Sequence, residues 1–324
     1  MTGTTQPPRA TVVSGGVGAA RFLRGLVDVV PAADVCAVVN TGDDTVLHGL
    51  SISPDLDTIT YTLAGAIDPE RGWGLAGETW AAMDALGRYA AVRPRDSTAA
   101  PTWFNLGDRD LATHCYRTAR LAEGATLTEV TSEIAAAWGL DVRLLPMTDA
   151  PLRTIVSVVG HGEVEFQEYF VRLHHDVPID GVRFAHDSAS LTDDALAALR
   201  DAGVVVIAPS NPIVSIGPIR TLAGVDDLLA RRRESVVAIS PIVGGAALKG
   251  PADRMLAELG HPSSVVGVAA LYASIAGTLV IDHADAALAP EVEAAGMRAV
   301  VTSTVMSTPG VAADLARATL AAAR

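Results

Sequence analysis

The feature that most constrains the fold is a glycine-rich turn between an apolar strand and a helical pattern, near the start of the chain. Residues 11–13 form a β-branched run, residues 14–18 read Ser-Gly-Gly-Val-Gly, and residues 17–30 carry apolar side chains at helical spacing. Residues 35–39 form a second apolar run. Strand, turn, helix and strand in this order predict an α/β fold with a Rossmann-like, doubly wound, mostly parallel sheet. Such sheets bind ligands beyond the carboxyl ends of their strands.

The rest of the pattern predicts a single domain over residues 1–324, with a helical layer inserted into the Rossmann-like core. Residues 55–138 read as helical apart from a loop at 91–101, so we place the insertion at about 59–144 and the core at about 9–58 and 145–324. Gly160-His161-Gly162 predicts the turn of a hairpin. The predicted later strands are 154–159, 163–171, 204–208, 236–239, 279–282 and 299–301.

Charge and hydrophobicity narrow the classes of function. The formal net charge is −13, which argues against broad nucleic-acid binding because that depends on a basic surface. Residues 1–10 lack the apolar core of a signal peptide, and no run of about 20 apolar residues would span a membrane. Cys36 and Cys115 match no CxxC motif, which fits a reducing compartment. We therefore expect a cytoplasmic protein with no nucleic-acid or membrane partner.

The glycine turn is a candidate phosphate site. Glycines let a backbone approach an anion, and a helix N-terminus offers free N–H groups. Arg21 stands where a dinucleotide fingerprint has Gly or Ala, and Asn40 ends the second strand where it has Asp or Glu, so a nicotinamide dehydrogenase is disfavoured. A strand–helix turn without a ligand is the alternative, here and for the loop 208–212, Ala-Pro-Ser-Asn-Pro. The nucleotide-binding candidates are Gly15, Gly16, Val17, Gly18, Arg21, Ser210, Asn211 and Pro212.

Carboxylates are grouped downstream of the turn. Residues 53–58 read Ser-Pro-Asp-Leu-Asp-Thr, a suitable helix start with proline in the first position. Asp55 and Asp57 could simply complement the helix dipole, worth about 0.3–1 kcal/mol each. However, Asp43 and Asp44 lie on the preceding loop, and four converging carboxylates would repel one another without a cation. This favours a metal-binding or hydroxyl-binding role, with Asp43, Asp55 and Asp57 as the metal candidates.

A second acidic segment, residues 106–114, reads Leu-Gly-Asp-Arg-Asp-Leu-Ala-Thr-His. Asp108 could cap the helix that begins here, with Asp110 adding to the dipole interaction. Arg109, between two acids, is harder to explain in that way and could neutralise developing phosphate charge. His114 lies four residues beyond Asp110 on the same helical face and is a minor candidate.

Taken in order, these motifs resemble the CofD/FbiA-type transferases that make the deazaflavin coenzyme F-420. The resemblance runs along essentially the whole chain, and several spaced motifs in order are far more specific than any one of them. The motifs are residues 14–18, 39–44, 52–58, 106–114, 145–149, 166–168, 208–217 and 240–242.

The resemblance implies a reaction and its partners. Such enzymes take a guanosine diphosphate conjugate of a three-carbon acid as donor and the deazaflavin alcohol Fo as acceptor. The terminal ribityl hydroxyl attacks the phosphorus that bears the acid, GMP leaves, and a phosphodiester forms. The acid is lactate in the archaeal branch and enolpyruvate in the actinobacterial branch, which residues 68–74 and 78–80 resemble. Mg²⁺ is the implied metal, and a homodimer is the implied assembly.

The resemblance also implies roles for individual residues. Asp57 matches the motif residue that relatives use at the Fo site and is the first choice for accepting the proton of the attacking hydroxyl; Asp55 and Arg109 are the other catalytic candidates. Archaeal relatives typically have lysine before Leu106, in contact with the deazaflavin, where this chain has Asn105, an amide without charge. The candidates for binding the deazaflavin are Asp57, Asn105, Asp108 and His114.

A non-catalytic regulator is the alternative from another class. A related gluconeogenesis-factor family shares the glycine turn and the paired aspartates after the second strand, and is thought to bind sugar nucleotides. Its members are weaker in the Pro-Asp-Leu-Asp and Gly-Asp-Arg-Asp motifs, which are both intact here. The transferase is therefore the favoured prediction.

Overall fold

The computed structural model describes residues 9–323. Fourteen strands and twelve α-helices lie within this range, together with short 3₁₀ and π-helical turns. The strands are β1 (Ala10–Ser14), β2 (Val35–Val39), β3 (Thr45–Leu47), β4 (Leu50–Ile52), β5 (Arg143–Pro146), β6 (Arg153–Val158), β7 (Gly162–Glu165), β8 (Ile179–Ala185), β9 (Val204–Ile207), β10 (Val236–Ile239), β11 (Ile242–Val243), β12 (Ala246–Ala247), β13 (Thr278–Ile281) and β14 (Arg298–Val301). The helices are α1 (Gly16–Val27), α2 (Pro54–Leu63), α3 (Ala81–Ala90), α4 (Asp110–Ala122), α5 (Leu127–Ala137), α6 (Asp193–Asp201), α7 (Gly217–Thr221), α8 (Val225–Arg231), α9 (Ala252–Glu258), α10 (Val265–Tyr272), α11 (Ala289–Ala294) and α12 (Val311–Ala322).

Seven strands form the central sheet in the order β14-β13-β10-β9-β1-β2-β5, and every neighbouring pair is parallel. The chain begins in the middle at β1, adds β2 and β5 on one side, and then returns to add the other four strands on the other side. The strand order therefore reverses between β1 and β9, the kind of switch point at which open α/β sheets bind ligands. The predicted fold class is confirmed.

Helices cover both faces of this sheet, which is why its strands are continuous apolar runs. β1 and β2 are buried along their whole length. Successive side chains feed two cores: Val13 and Val38 lie in one, whereas Val12 and Val39 lie in the other. The first core includes side chains of α6, α8 and α10, and the second includes side chains of α1, α2 and α12. The loops at the carboxyl edge are thus held on a rigid base.

The predicted hairpin is only partly right. β6 and β7 pair antiparallel around the predicted turn. The second strand ends at Glu165, however, and Glu168–Arg172 form a π-helical turn. Phe166 and Tyr169, three residues apart, are buried in one small apolar cluster, which helical spacing allows and strand alternation does not. β8, which was not predicted, pairs with the other edge of β6.

The helical stretch is less continuous than its sequence predicts. α3, α4 and α5 lie between α2 and β5, but residues 64–80 and 91–109 are largely irregular. Four glycines of the first irregular stretch adopt positive φ, which a right-handed helix does not accommodate: Gly65, Gly72, Gly74 and Gly77. The division into core and insertion stays a prediction, and residues 1–8 and 324 of the predicted domain lie outside the described range.

Two observations bear on the expected surroundings of the protein. No helix within residues 9–323 is both long enough and apolar enough to cross a membrane. Cys36 and Cys115 are both free; Cys36 is buried, and burial raises its pKa to about 12. The cytoplasmic location stays a prediction.

Candidate functional site

The glycine turn and the 208–212 loop meet at the switch point, where β1 and β9 end side by side. The Ser210 hydroxyl donates a hydrogen bond to the Gly15 carbonyl at 2.7 Å and accepts one from the Gly15 N–H at 3.3 Å. A Cβ on Gly18 would lie 2.1 Å from the Pro209 carbonyl oxygen, so only glycine fits there. Two segments that are almost 200 residues apart in sequence are therefore joined at the edge of the sheet, as predicted for two walls of one site.

The N-terminus of α1 lies at this turn and is partly exposed. No side chain caps this helix, and Gly16, Val17 and Gly18 are only half-buried. Arg21 lies one turn in, close enough to Lys249 that its charge, after burial, is the second cause of a lowered Lys249 pKa. Lys249, the only lysine of the chain, was not predicted, because it lies outside every motif. The turn thus combines the N-terminus of a helix, where the Gly16 N–H already donates a hydrogen bond to Asp55, with two cations.

The side chain of Asn211 is bonded within its own loop, a contact that the sequence did not predict. Its side-chain oxygen accepts hydrogen bonds from the backbone N–H groups of Ile213 at 2.9 Å and Val214 at 3.4 Å. It thereby caps the π-helical turn Pro212–Ile216. Ser210 and Asn211 shape the wall beside the glycine turn, and their contact with a nucleotide stays a prediction.

Asn40 joins the glycine turn to the carboxylates. Its side-chain nitrogen donates to Asp43 Oδ1 at 3.1 Å and to Asp55 Oδ2 at 3.0 Å. A Cβ on Gly15 would lie 2.6 Å from Asp55 Oδ2, so this carboxylate presses directly against the turn. Gln167 donates to the other oxygen of Asp43 at 3.3 Å. The structure therefore brings the predicted phosphate turn and two of the three predicted metal ligands into one place.

Asp43, Asp44 and Asp55 form an unpaired cluster. No ion pair among residues 9–323 involves any of them. Burial first, and then the neighbouring acids, raises the pKa of Asp43 and Asp44 well above the usual value. Burial raises the pKa of Asp55 to about 6, although hydrogen bonds from Asn40 and the Gly16 backbone oppose the shift. Asp44 Oδ1 is buried without a hydrogen-bond partner. None of these carboxylates forms an ion pair within the described residues, although the Arg117 charge acts against the raised pKa of Asp44.

Asp57, two residues beyond Asp55, belongs to a different group of side chains. Arg117 Nη1 donates to Asp57 Oδ2 at 3.2 Å, and Arg117 Nη2 donates to Asp57 Oδ1, so the pair is bidentate. Arg117 is 2% exposed and Asp57 is 5% exposed. The predicted metal set therefore divides, since Asp57 has an arginine partner that Asp43 and Asp55 lack. Its roles as metal ligand and proton acceptor stay predictions.

His114 extends this group to Asp110. His114 Nδ1 lies 3.3 Å from Arg117 Nη1, and His114 Nε2 lies 3.4 Å from Asp110 Oδ2, which is long for a hydrogen bond. The Tyr61 hydroxyl donates to Asp110 Oδ1 at 2.5 Å. Burial tends to raise the pKa of Asp110, but His114, Tyr61 and the Arg117 charge together lower it. We call Asp57, Asp110, His114 and Arg117 the paired cluster.

Ligand atoms of Asp57, Asp110 and His114 lie within 4.8 Å of one another, so these three residues could also hold a metal ion. Asp110, His114 and Arg117 occupy positions i, i+4 and i+7 of α4 and therefore share one face. The predicted facing of Asp110 and His114 agrees with this contact. The sequence analysis did not predict Arg117, although its spacing from Asp110 and His114 places it on the same face of the helix.

Asp108 and Arg109 are held by a neighbouring loop. Asp108 accepts hydrogen bonds from the N–H groups of Ala81 and Ala82, at 2.9 and 3.0 Å, and therefore caps α3; the alternative that it caps α4 is wrong. Glu78 caps α4 instead, by accepting from the N–H groups of Arg109 and Asp110 at 2.8 and 2.9 Å. The Arg109 guanidinium donates to a loop carbonyl at the surface. Asn105 is also exposed, and their roles toward substrates stay predictions.

The chain is an α/β protein. At the switch point of its sheet, a glycine turn of the kind that binds anions lies next to buried carboxylates that form no ion pair within the described residues. The chain belongs to the CofD family: the family model described as 2-phospho-L-lactate transferase CofD matches residues 10–285. It is 42% identical over 317 residues to the phosphoenolpyruvate transferase of Streptomyces griseus, covering 96% of this chain and 97% of that protein. It is 36% identical over 345 residues to the phosphoenolpyruvate transferase of Mycobacterium avium, covering 96% of this chain and 98% of that protein.

Solved structures show the same fold. Two crystal structures of one protein from Bacillus halodurans, described in one case as a member of the UPF0052 family, have TM-scores of 0.62 and 0.60 against this chain. Both alignments cover 97% of this chain; they cover 100% of the first structure at 14% sequence identity and 99% of the second at 15%. At this identity the likeness concerns the fold alone.

Proposed function

We propose that this chain is a Mg²⁺-dependent transferase of coenzyme F-420 biosynthesis. It moves the phosphoenolpyruvyl group, or the 2-phospho-L-lactyl group, from a guanosine diphosphate conjugate to the terminal ribityl hydroxyl of Fo. A new O–P bond forms as the P–O bond to GMP breaks, and the products are GMP and dehydro coenzyme F-420-0, or coenzyme F-420-0 from the lactyl donor. The observation that carries the proposal is the close approach of Asp55 to Gly15, which supports a phosphate-binding role for the glycine turn next to metal-binding carboxylates.

The names of the relatives favour the enolpyruvyl donor. Proteins 36–42% identical to this chain over nearly its whole length are called phosphoenolpyruvate transferases, whereas the broader family model carries the lactyl name. Both acids present a carboxylate and a phosphate, so the glycine turn and its cations would serve either donor. We therefore place the enolpyruvyl donor first.

Each group of side chains has a task in this reaction. The N–H groups at the start of α1, with Arg21 and Lys249, would bind the phosphates of the donor. The unpaired cluster fits Mg²⁺, because that ion takes one or two carboxylates together with phosphate oxygens and water. Bound there, the ion would neutralise charge that develops on the phosphates. Asp57 would accept the hydroxyl proton, and loss of one such group should cost roughly 10²–10³ in rate.

A turnover assay read by mass spectrometry tests the proposal. The purified protein is incubated with Fo and Mg²⁺ and with either the phosphoenolpyruvyl or the lactyl guanosine diphosphate donor. We expect GMP and the dehydro product from the first donor. Preference for the lactyl donor would keep the transferase and reverse the choice of donor. Absence of product with both donors, from folded protein, would reject the transferase.

Binding of Fo separates the transferase from the nucleotide-sugar-binding regulator. Fo is fluorescent, so its binding can be titrated directly with and without GDP. A transferase should bind Fo, and a regulator of the gluconeogenesis-factor type should not. The cytoplasmic location, which rests on the sequence pattern, and the homodimer, which rests on the family resemblance, belong to the same proposal; sedimentation of the purified protein tests the dimer.

A further inference from the structure

Arg117 is a buried cation in the middle of groups that otherwise suit a metal ion. Its guanidinium lies among Asp57, Asp110 and His114, and it is among the largest fully buried side chains of the described residues. We propose that Arg117 is the built-in cation of the paired cluster, so that the protein holds its divalent ion at the unpaired cluster and none at Asp57, Asp110 and His114. This rests on the proposed function for the presence of a divalent ion, and deepens it by assigning where that ion does not bind.

The contacts of Arg117 use the atoms that a metal would need. Both oxygens of Asp57 accept from the guanidinium. His114 Nδ1 lies 3.3 Å from Arg117 Nη1, and because a guanidinium can only donate, this nitrogen must be the acceptor of the ring. A neutral His114 of this tautomer carries its proton on Nε2, which lies 3.4 Å from Asp110 Oδ2 and makes no hydrogen bond within residues 9–323. In this arrangement neither ring nitrogen offers a lone pair to a metal.

Charge leads to the same conclusion. A divalent ion among these three residues would lie next to a guanidinium that cannot lose its proton. Asp43, Asp44 and Asp55 form no ion pair in the described range, and Asp44 Oδ1 has no hydrogen-bond partner at all. The Arg117 charge also acts on Asp44, but without an ion pair. A divalent ion therefore meets an adjacent guanidinium in the paired cluster and carboxylates without an ion pair in the unpaired cluster.

Arg117 is accordingly a positioning residue that acts through Asp57. A bidentate arginine fixes the plane of a carboxylate as well as its charge. Each oxygen of Asp57 keeps a second lone pair after accepting one N–H bond, so the carboxylate can still accept a proton. A metal in the same place would occupy those lone pairs instead.

The test measures metal stoichiometry rather than turnover. Co²⁺ is the probe, because its absorption spectrum reports an imidazole ligand and dialysis reports the number of ions bound. The variants are His114→Gln, Arg117→Met and their double variant, with Arg120→Met as the control for losing a half-buried, ion-paired arginine from the same helix. We expect His114→Gln to retain all the Co²⁺ that the wild type binds, with an unchanged spectrum. We expect Arg117→Met to gain one equivalent of Co²⁺ that the double variant loses.

Two results would overturn the assignment. One is a wild-type Co²⁺ ion that is lost, or changes its spectrum, in His114→Gln. The other is a folded Arg117→Met protein that binds no more Co²⁺ than the Arg120→Met control. If Arg117→Met does not fold, the comparison of the wild type with His114→Gln decides alone. Because no turnover is read, failure of the transferase assay would count against the proposed function and leave this result standing.

Discussion

The unpaired and paired clusters each contain an aspartate from the first turn of α2, yet one aspartate has no ion-pair partner in the described range and the other is paired with an arginine. Asp55 and Asp57 are both buried in the first turn of α2. Two residues correspond to roughly 200° around a helix, so their side chains leave in different directions. Asp55 meets the glycine turn and no cation, whereas Asp57 meets Arg117. The partner on another element, and not the acid itself, decides the state of each carboxylate.

The difference between the clusters indicates where the folded protein loses free energy of unfolding in order to bind a ligand. A buried carboxylate without a partner costs free energy, and a protein keeps it where a ligand supplies the missing charge. The paired cluster has its cation within the chain, in the Arg117–Asp57 ion pair, although His114 Nε2 and Arg117 Nε lack hydrogen-bond partners among the described residues. Substitutions that remove a carboxylate should therefore change stability in opposite directions in the two clusters, which makes the comparison testable.

The largest effect is expected from Asp57→Asn. This change leaves the Arg117 charge buried without its partner, which typically costs about 3–5 kcal/mol of the free energy of unfolding. Denaturant unfolding, monitored by circular dichroism, measures the loss. The double variant Asp57→Asn with Arg117→Met removes both charges and should recover a large part of it. A single variant as stable as the wild type would show that the pair is not formed in solution.

The matching change in the unpaired cluster, Asp55→Asn, should stabilise the metal-free protein at pH 7. The pKa of Asp55 is raised from 3.8 to about 6, and one pKa unit corresponds to about 1.4 kcal/mol, so the gain is about 3 kcal/mol. Asparagine keeps an oxygen that can accept from Asn40. Asp110→Asn is the control in the paired cluster, where the pKa is lowered and the same substitution should destabilise. If both variants shift the midpoint in the same direction, the contrast between the clusters is wrong.

The two clusters also predict opposite dependence on pH. Between about pH 4 and 6 the folded protein keeps the Asp55 proton that the unfolded chain releases, so this residue makes stability fall as pH rises. The raised pKa values of Asp43 and Asp44 act in the same direction. The lowered pKa of Asp110 adds stability above its unfolded pKa, which is lost as pH falls. Subtracting the curve of Asp55→Asn from that of the metal-free wild type isolates the first effect; a flat difference would contradict it.

The fold was largely predictable from the sequence, because its signals are local. The strand, turn and helix over residues 10–27 and the strand at 35–39 follow from apolar runs and glycines. The π-helical turn at Glu168–Arg172 was not predictable in this way, since Phe166 and Tyr169 are drawn into an apolar cluster by tertiary packing. The irregular stretch before α3 was also misread as helical despite its glycines, whereas the stretch after α3 contains the loop predicted at 91–101.

The candidate site was predictable in its residue types but not in its partners. The turn, the Asp43–Asp44 loop and Asp55 were placed together because parallel strands end at one edge of a sheet. No pattern within residues 53–58 shows that Asp57 faces Arg117, which lies 60 residues further along the chain. Lys249 could not be placed beside Arg21 for the same reason. Contacts between distant segments require the packing of helices on the sheet, which periodicity does not encode.

The smallest expected effect is the stabilisation of the folded protein by Mg²⁺. An ion that binds only the folded state adds about 2.7 kcal/mol at roughly 100 times its dissociation constant. This gain should disappear in Asp55→Asn and persist in Asp110→Asn, because only the unpaired cluster lacks a cation. Thermal unfolding with and without Mg²⁺ measures both. A gain that instead depends on Asp110 would place the ion among Asp57, Asp110 and His114, and would mean that the Arg117 guanidinium moves aside when the metal binds.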